Sequence, residues 1–232
     1  MRKVAIVQSN YIPWKGYFDL IDSVDAFMLF DAVQYTRRDW RNRNLIKTPQ
    51  GLTWLTVPVE VKGKYHQAIN ETRIAGTDWA QNHWRSIEGA YRRAPFFATE
   101  AEWLAPLFAA PPEELLSAMN ERFLRAICAR LGITTPILRC EEYELLDDRS
   151  ARLAHLCAQT GGDIYVSGPA ARDYLQDAPF AERGIAVEWF DYAGYPQYSQ
   201  LWGGYEHGVT VLDMIFNCGP DAGQVLRARR TA

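Results

Sequence analysis

Long apolar runs are missing from this 232-residue chain. After the basic start Met1-Arg2-Lys3, the run Val4 to Val7 ends at Gln8-Ser9-Asn10. A secretory core needs about 7–15 apolar residues and a membrane span about 20. The start of the chain does not reach the first length and no stretch reaches the second, so no membrane insertion and a cytoplasmic location are expected. Cysteine is also sparse: Cys128, Cys140, Cys157 and Cys218 form no C-x-x-C pair, and only Cys157 has a histidine, His155, close by in sequence, which argues against a zinc site or a disulfide framework and for buried thiols. The four histidines, His66, His83, His155 and His207, fall at no metal-ligand spacing, so no metal is expected. Neither sign of charge dominates, with 25 Lys and Arg against 28 Asp and Glu and a net charge of −3. No global field therefore favours nucleic acid or an anionic membrane, and any anion site must be local. The P-loop, dinucleotide and nucleophile-elbow signatures are absent as well.

What is there is a core-forming chain, 48% hydrophobic, of a length suited to one large α/β domain. Lys3 to Gln8 has the short β-branched character of a buried parallel strand. Tyr17, Leu20, Ile21 and Val24 then repeat with helical spacing, and Ala26 to Phe30 is again strand-like. That order is a βαβ unit, whose parallel strands need cover on both faces. Asn44 to Thr48 and Leu52 to Pro58 flank a turn and predict a hairpin, with Ile69 to Ala75 as a third strand and Glu60 to Gln67 as a polar loop. A helical subregion over about 77–132 follows. Thr77-Asp78 starts a helix running to Arg93, Glu100 to Phe108 forms the next, and Glu113 to Leu131 a third behind Pro111-Pro112. Further on, a strand at Ile137-Leu138, helix Ser150 to Gln159, strand Ile164 to Ser167, a short helix after Gly168-Pro169, strand Ile185 to Phe190, an aromatic loop from Tyr192 to Tyr205 and helix Val209 to Asn217 return the chain to α/β order. Both ends should share one largely parallel sheet.

Ligands of open α/β sheets bind beyond the carboxyl ends of the strands, where helix starts offer N–H groups. Gln8, Tyr11, Trp14, Lys15, Gly16 and Tyr17 occupy the first such position. Gly16 would let backbone approach a phosphate and Lys15 would neutralise it, or else the stretch is only a tight connection packed by its rings. Ser167, Gly168 and Arg172 occupy a second such position. Between Arg37 and Lys47 lie five cations and one carboxylate. There Arg41, Arg43 and Lys47 can grip an anion, Trp40 can stack on a ring, and Asn42 and Asn44 can hydrogen-bond. The plain alternative is a solvated charged loop. Asp31, ending the second strand, and His83, on the helix after Thr77, are candidate proton acceptors, or else a buried cap and a packed histidine.

The opening layout resembles HUP-type nucleotidyltransferases, whose H-x-G-H motif would fall on Trp14-Lys15-Gly16-Tyr17. The histidines are absent, so the likeness supports a HUP/Rossmann-like opening fold more than that chemistry. Taken together, the motifs resemble the WbqC family along nearly the whole chain. The resemblance is carried by Val4 to Gln8, Tyr11-Ile12-Pro13, Gly16-Tyr17-Phe18, Phe30-Asp31, Val33-Gln34-Tyr35, Trp40, Asn42-Arg43-Asn44, Asn70-Glu71, Tyr91 with Ala94 to Phe97, Tyr165 to Gly168, Tyr174, Phe180, Gly184-Ile185, Tyr198 with Gln200, and Leu212-Asp213 before Phe216-Asn217. Two positions depart from the family's common pattern: Gln8-Ser9 stands for Gln-Pro, and Asp31-Ala32 for a pair of acids. The resemblance implies a role in bacterial surface polysaccharide, O-antigen in particular. The expected ligand is a nucleotide-linked amino sugar and the expected reaction acyl or aminoacyl transfer to a sugar amine. A non-catalytic nucleotide-sugar-binding or assembly subunit, and nucleotidyl transfer, stand as alternatives. No cofactor or oligomeric state is implied.

Overall fold

The computed structural model describes residues 1–109 and 113–230. Five strands, β1 (Lys3–Val7), β2 (Ala26–Leu29), β5 (Ile137–Arg139), β6 (Ile164–Ser167) and β7 (Ala186–Trp189), form one parallel sheet in the order β5-β2-β1-β6-β7. Among these five the chain runs third, second, first, fourth, fifth. That is the doubly wound order, and its direction of travel reverses between β1 and β6. Side chains alternate across such a sheet. Val4 and Ile6 of β1, with Met28 and Tyr165, pack against Ala154, Leu156 and Cys157 of α5 (Arg149–Gln159) and Phe180 of α6 (Ala178–Ala181). Ala5, Phe27, Leu29, Ile164 and Val166 face the other way, into the larger core.

That larger core is built by α1 (Lys15–Asp22), α2 (Asp78–Tyr91), α3 (Phe97–Ala109), α4 (Leu116–Arg130), α7 (Val211–Cys218) and α8 (Ala222–Arg227). On α4 the stripe Leu116, Met119, Phe123, Leu124 and Ile127 is fully buried, as an amphipathic helix on a sheet requires. Ion pairs between helices reinforce the apolar contacts: Arg227 grips both oxygens of Asp22, at 2.8 and 2.9 Å, and Arg130 binds the buried Glu100. Cys128, Cys140 and Cys157 are buried free thiols and Cys218 is half-buried.

Outside the sheet, β3 (Arg43–Thr48) and β4 (Gly51–Thr56) form the expected antiparallel hairpin around Pro49-Gln50, and Gly51 takes φ +110°. The third strand predicted at Ile69 to Ala75 does not form. Residues Ile69–Glu71 make a 3₁₀ turn, closed by the Glu71 carboxylate on the Ala68 N–H and by the Thr72 hydroxyl on the Ala68 carbonyl, and only single bridges follow at Arg73 and Ile74. Short polar side chains here take the backbone partners a ladder would need. Helix α4 starts at Leu116 rather than Glu113, and Pro111-Pro112 lie outside the described residues. Among the described residues no helix is long and apolar enough to cross a membrane, and no group of three or more His, Cys, Asp or Glu is arranged to hold a metal ion.

Candidate functional site

Where the strand order reverses, the segments leaving β1 and β6 part and open a crevice of about 690 Å³. Gln8, from the end of β1, and Ser167 and Gly168, from the end of β6, line it as the sequence predicts. Gln34 and Tyr174, both among the residues that carry the family resemblance, line it too, and the wall also takes in residues the sequence did not point to: Thr36 beyond β2, Tyr192, and Asp147, Arg149 and Arg152 around the start of α5. Asp148 caps that helix by accepting the Ala151 N–H at 2.7 Å, and Arg152 is fixed by the carbonyls of Leu146 and Asp147. Arg149 is exposed. A cation in the first turn of a helix opposes the helix dipole. Two arginines in one first turn are therefore a signal that the sequence carries beside the denser Arg37–Lys47 cluster.

A second cavity of about 290 Å³ is walled by Trp14, Trp40 and Asn44 with Asn10, Pro13 and Gly208. The two spaces adjoin. Arg41 donates one Nη to Asn10 Oδ1 on the smaller cavity and the other to Gln8 Oε1 at 2.8 Å on the crevice, and Tyr192 lines the crevice while its ring lies 5.3 Å from that of Trp14. The backbone holds this junction as well: the Tyr11 N–H donates to the Trp40 carbonyl at 3.0 Å, and Asn44 Nδ2 donates to the carbonyls of Tyr11 and Ile12. Asn42 Nδ2 serves the neighbouring Val57 carbonyl.

Other anticipated residues are not brought to these walls. Gly16 makes room for a ring and not for a phosphate, since a Cβ there would stand 2.3 Å from the Trp14 indole. Lys15 turns away from the crevice and is buried among the rings of Trp14, Tyr195, Tyr198 and Tyr205, 5.5–6.0 Å from their centres. Burial lowers its pKa to about 8 against the pull of Asp213 and Glu206. Lys47 is buried on Gln200 Oε1, at 2.7 Å, and the Gly204 carbonyl. The Arg43 guanidinium lies 4.1 Å from the Trp54 ring centre, and that of Arg172 5.3 Å from Trp189. Tyr17 donates to the Gln8 carbonyl at 2.9 Å and so braces the end of β1 from below.

Asp31 is 1% exposed and accepts the Ser9 N–H at 2.7 Å and the Ser117 hydroxyl, tying the first loop to α4. Burial raises its pKa, opposed by those hydrogen bonds. Its neighbour Ala32 is the residue that faces the crevice. His83 lies across the hairpin, bonded at Nδ1 to the Tyr11 hydroxyl at 2.8 Å and also to the Thr56 backbone. Burial lowers its pKa to about 4, so the ring is neutral at pH 7.

Residues 8–225 match the profile of the WbqC-like protein family. The chain belongs to that family. A relative from Mycobacterium tuberculosis, the uncharacterised protein Rv1507c, is 56% identical over 227 residues, covering 98% of each chain. No solved structure matches. The family match spans the smaller cavity, the crevice from Gln8 onwards and the residues that join them.

Proposed function

We infer that this WbqC-like protein is a cytoplasmic enzyme of bacterial surface-polysaccharide assembly. It binds a nucleotide-linked amino sugar and transfers an acyl or aminoacyl group to the sugar amine. The observation that carries this reading is the pair of adjoining cavities joined through Arg41. A nucleotide diphosphate suits the larger space, with Arg149 and Arg152 for the phosphates and Gln8 and Ser167 for polar edges. The sugar suits the smaller one, between the faces of Trp14 and Trp40. Asp147 is the one carboxylate on the crevice wall among the described residues and stands on the nucleotide side of the site, so the proton the amine loses passes to solvent. As the nitrogen attacks an activated acyl carbonyl, the C–N bond forms and the bond to the donor's leaving group breaks. Asp31 and His83, both already engaged in internal hydrogen bonds, act as positioning residues.

Calorimetric titration with UDP-, GDP- and dTDP-linked amino sugars, followed by mass spectrometry of mixtures with acyl donors, tests the reading. Saturable binding that weakens at least tenfold in Arg149→Ala, with an acylated product, supports it. Absence of binding by every nucleotide sugar sinks it. A second reading, a nucleotide-sugar-binding subunit without turnover, is favoured by Ala32, which puts a methyl group on the crevice wall where the family commonly carries an acid. Binding with no product from any donor would select it.

A further inference from the structure

Tryptophan is large and apolar, and a well-packed fold seldom leaves its ring in water without a use. Trp40 and Trp54 nevertheless stand 43% and 41% exposed, with ring centres 5.3 Å apart. The Arg43 guanidinium, 4.1 Å from the Trp54 ring centre, braces that indole by a cation–π contact. Trp40 shares the smaller cavity with Trp14, and on the other side Trp54 shares an open pocket of about 540 Å³ with Trp79. Four indoles thus follow one another from the mouth of the proposed sugar compartment, over the hairpin, to the start of α2.

The far pocket decides what such a path can hold. Its polar edge is Thr77, Asp78 and Asn82, all exposed, and the buried indole N–H of Trp79 has no hydrogen-bond partner. Asp78 carries the pocket's formal charge, and His83 at its base is neutral. A phosphate backbone would meet a carboxylate and no cation there, and an apolar peptide would bury the carboxylate and the amide without partners. A pyranose chain meets both demands. The C–H faces of its rings lie on flat indoles, and its hydroxyls donate to a carboxylate and exchange hydrogen bonds with an amide.

We propose that the Trp40–Trp54 platform and the pocket between Trp54 and α2 form a second binding site, for an extended neutral saccharide chain. This site shares Trp40 with the smaller cavity and no residue with the crevice, and because Trp54 and the pocket beyond it lie outside both, its failure leaves the nucleotide-sugar reading intact.

The test titrates the full chain with N-acetylglucosamine and its dimer, trimer and tetramer, following calorimetric heat and tryptophan emission, alongside an array of bacterial polysaccharide repeat units. Affinity is expected to climb at least tenfold from monomer to trimer, or across the repeat lengths of a hit on the array, with a blue shift in emission. Trp54→Ala and Asn82→Ala, both at exposed positions and checked for unchanged thermal melting, are expected to lose that gain while nucleotide-sugar titration stays unchanged. A blank array with flat affinity across chain length overturns the proposal. So does undiminished saccharide binding in Trp54→Ala, or a preference for oligodeoxythymidine or an apolar peptide.

Discussion

Two buried titratable residues, candidate proton acceptors in sequence, are hydrogen-bonded to the protein itself in three dimensions. His83 releases its proton at about 4 in the folded protein against 6.5 for the free side chain. The folded state therefore favours the neutral ring, and this contribution to stability is fully present above pH 6.5 and lost as pH falls towards 4. The difference between the two values corresponds to about 3 kcal/mol. Unfolding free energies measured from pH 7 to 4 are expected to fall more steeply for the native chain than for His83→Gln, with a difference of that order. Asp31 is held from two sides, by the Ser9 N–H and the Ser117 hydroxyl. Asp31→Ala strands both donors and is expected to cost about 2–3 kcal/mol of stability by chemical denaturation. Asp31→Asn keeps an acceptor at that place and is expected to retain turnover of the amino-sugar substrate. Turnover abolished in an Asn variant of native stability would instead return Asp31 to the catalytic role that its place at a strand end first suggested.

At the scale of elements, the hairpin and the first loop are legible separately in sequence but not their union. The turn at Pro49-Gln50-Gly51 and the alternation around it announce β3 and β4. Nothing in that pattern says that Asn44, an interior position of β3, would reach across to the carbonyls of Tyr11 and Ile12. Ile12 sits at φ +33°, a conformation that β-branched residues rarely adopt, and its carbonyl also accepts from the Thr210 hydroxyl at 2.7 Å. Three segments distant in sequence therefore hold one strained residue beside the smaller cavity. Asn44→Ala removes two of the hydrogen bonds and is expected to lower stability by about 1–3 kcal/mol. Sugar binding is expected to weaken with it, because Trp14 and Trp40 lose their fixed separation. A calorimetric comparison with the native chain at a temperature where both are folded checks the second effect. The overturned strand at Ile69 to Ala75 has the same origin: β-branched residues were legible, whereas the capture of the Ala68 amide by Glu71 depends on a rotamer.

The whole molecule brings together what no single element holds. Gln8, Ser167 and Arg149 lie far apart along the chain and meet because β1, β6 and β5 belong to one parallel sheet whose carboxyl ends point the same way. The cations of the Arg37–Lys47 cluster, adjacent in sequence, are dispersed instead. Arg41 goes to the junction, Arg43 to Trp54 and Lys47 into a buried hydrogen-bond network. Arg149 is exposed and holds up no core, so Arg149→Ala is expected to leave the melting temperature within about 2 °C, since surface changes of this kind stay within about 0.5 kcal/mol. Its loss should weaken nucleotide-diphosphate binding at least tenfold. The salt dependence of that binding, measured by titration from low to physiological ionic strength, should flatten with it, as expected for an interaction screened over about 8–10 Å.

Composition and periodicity alone were enough to establish an α/β chain with an opening βαβ unit, a hairpin, a helical middle and a return to the sheet. Those features follow from local alternation and from apolar spacing, which each segment carries within itself. The family likeness was legible for a related reason, being a matter of residues in order along the chain. Tertiary structure decided which side chains share a cavity, because that depends on strand order and on rotamers set by partners many residues away. It placed Gln8 with Arg149, turned Lys15 and Lys47 inward, and committed Asp31 and His83 to internal hydrogen bonds before any ligand arrives.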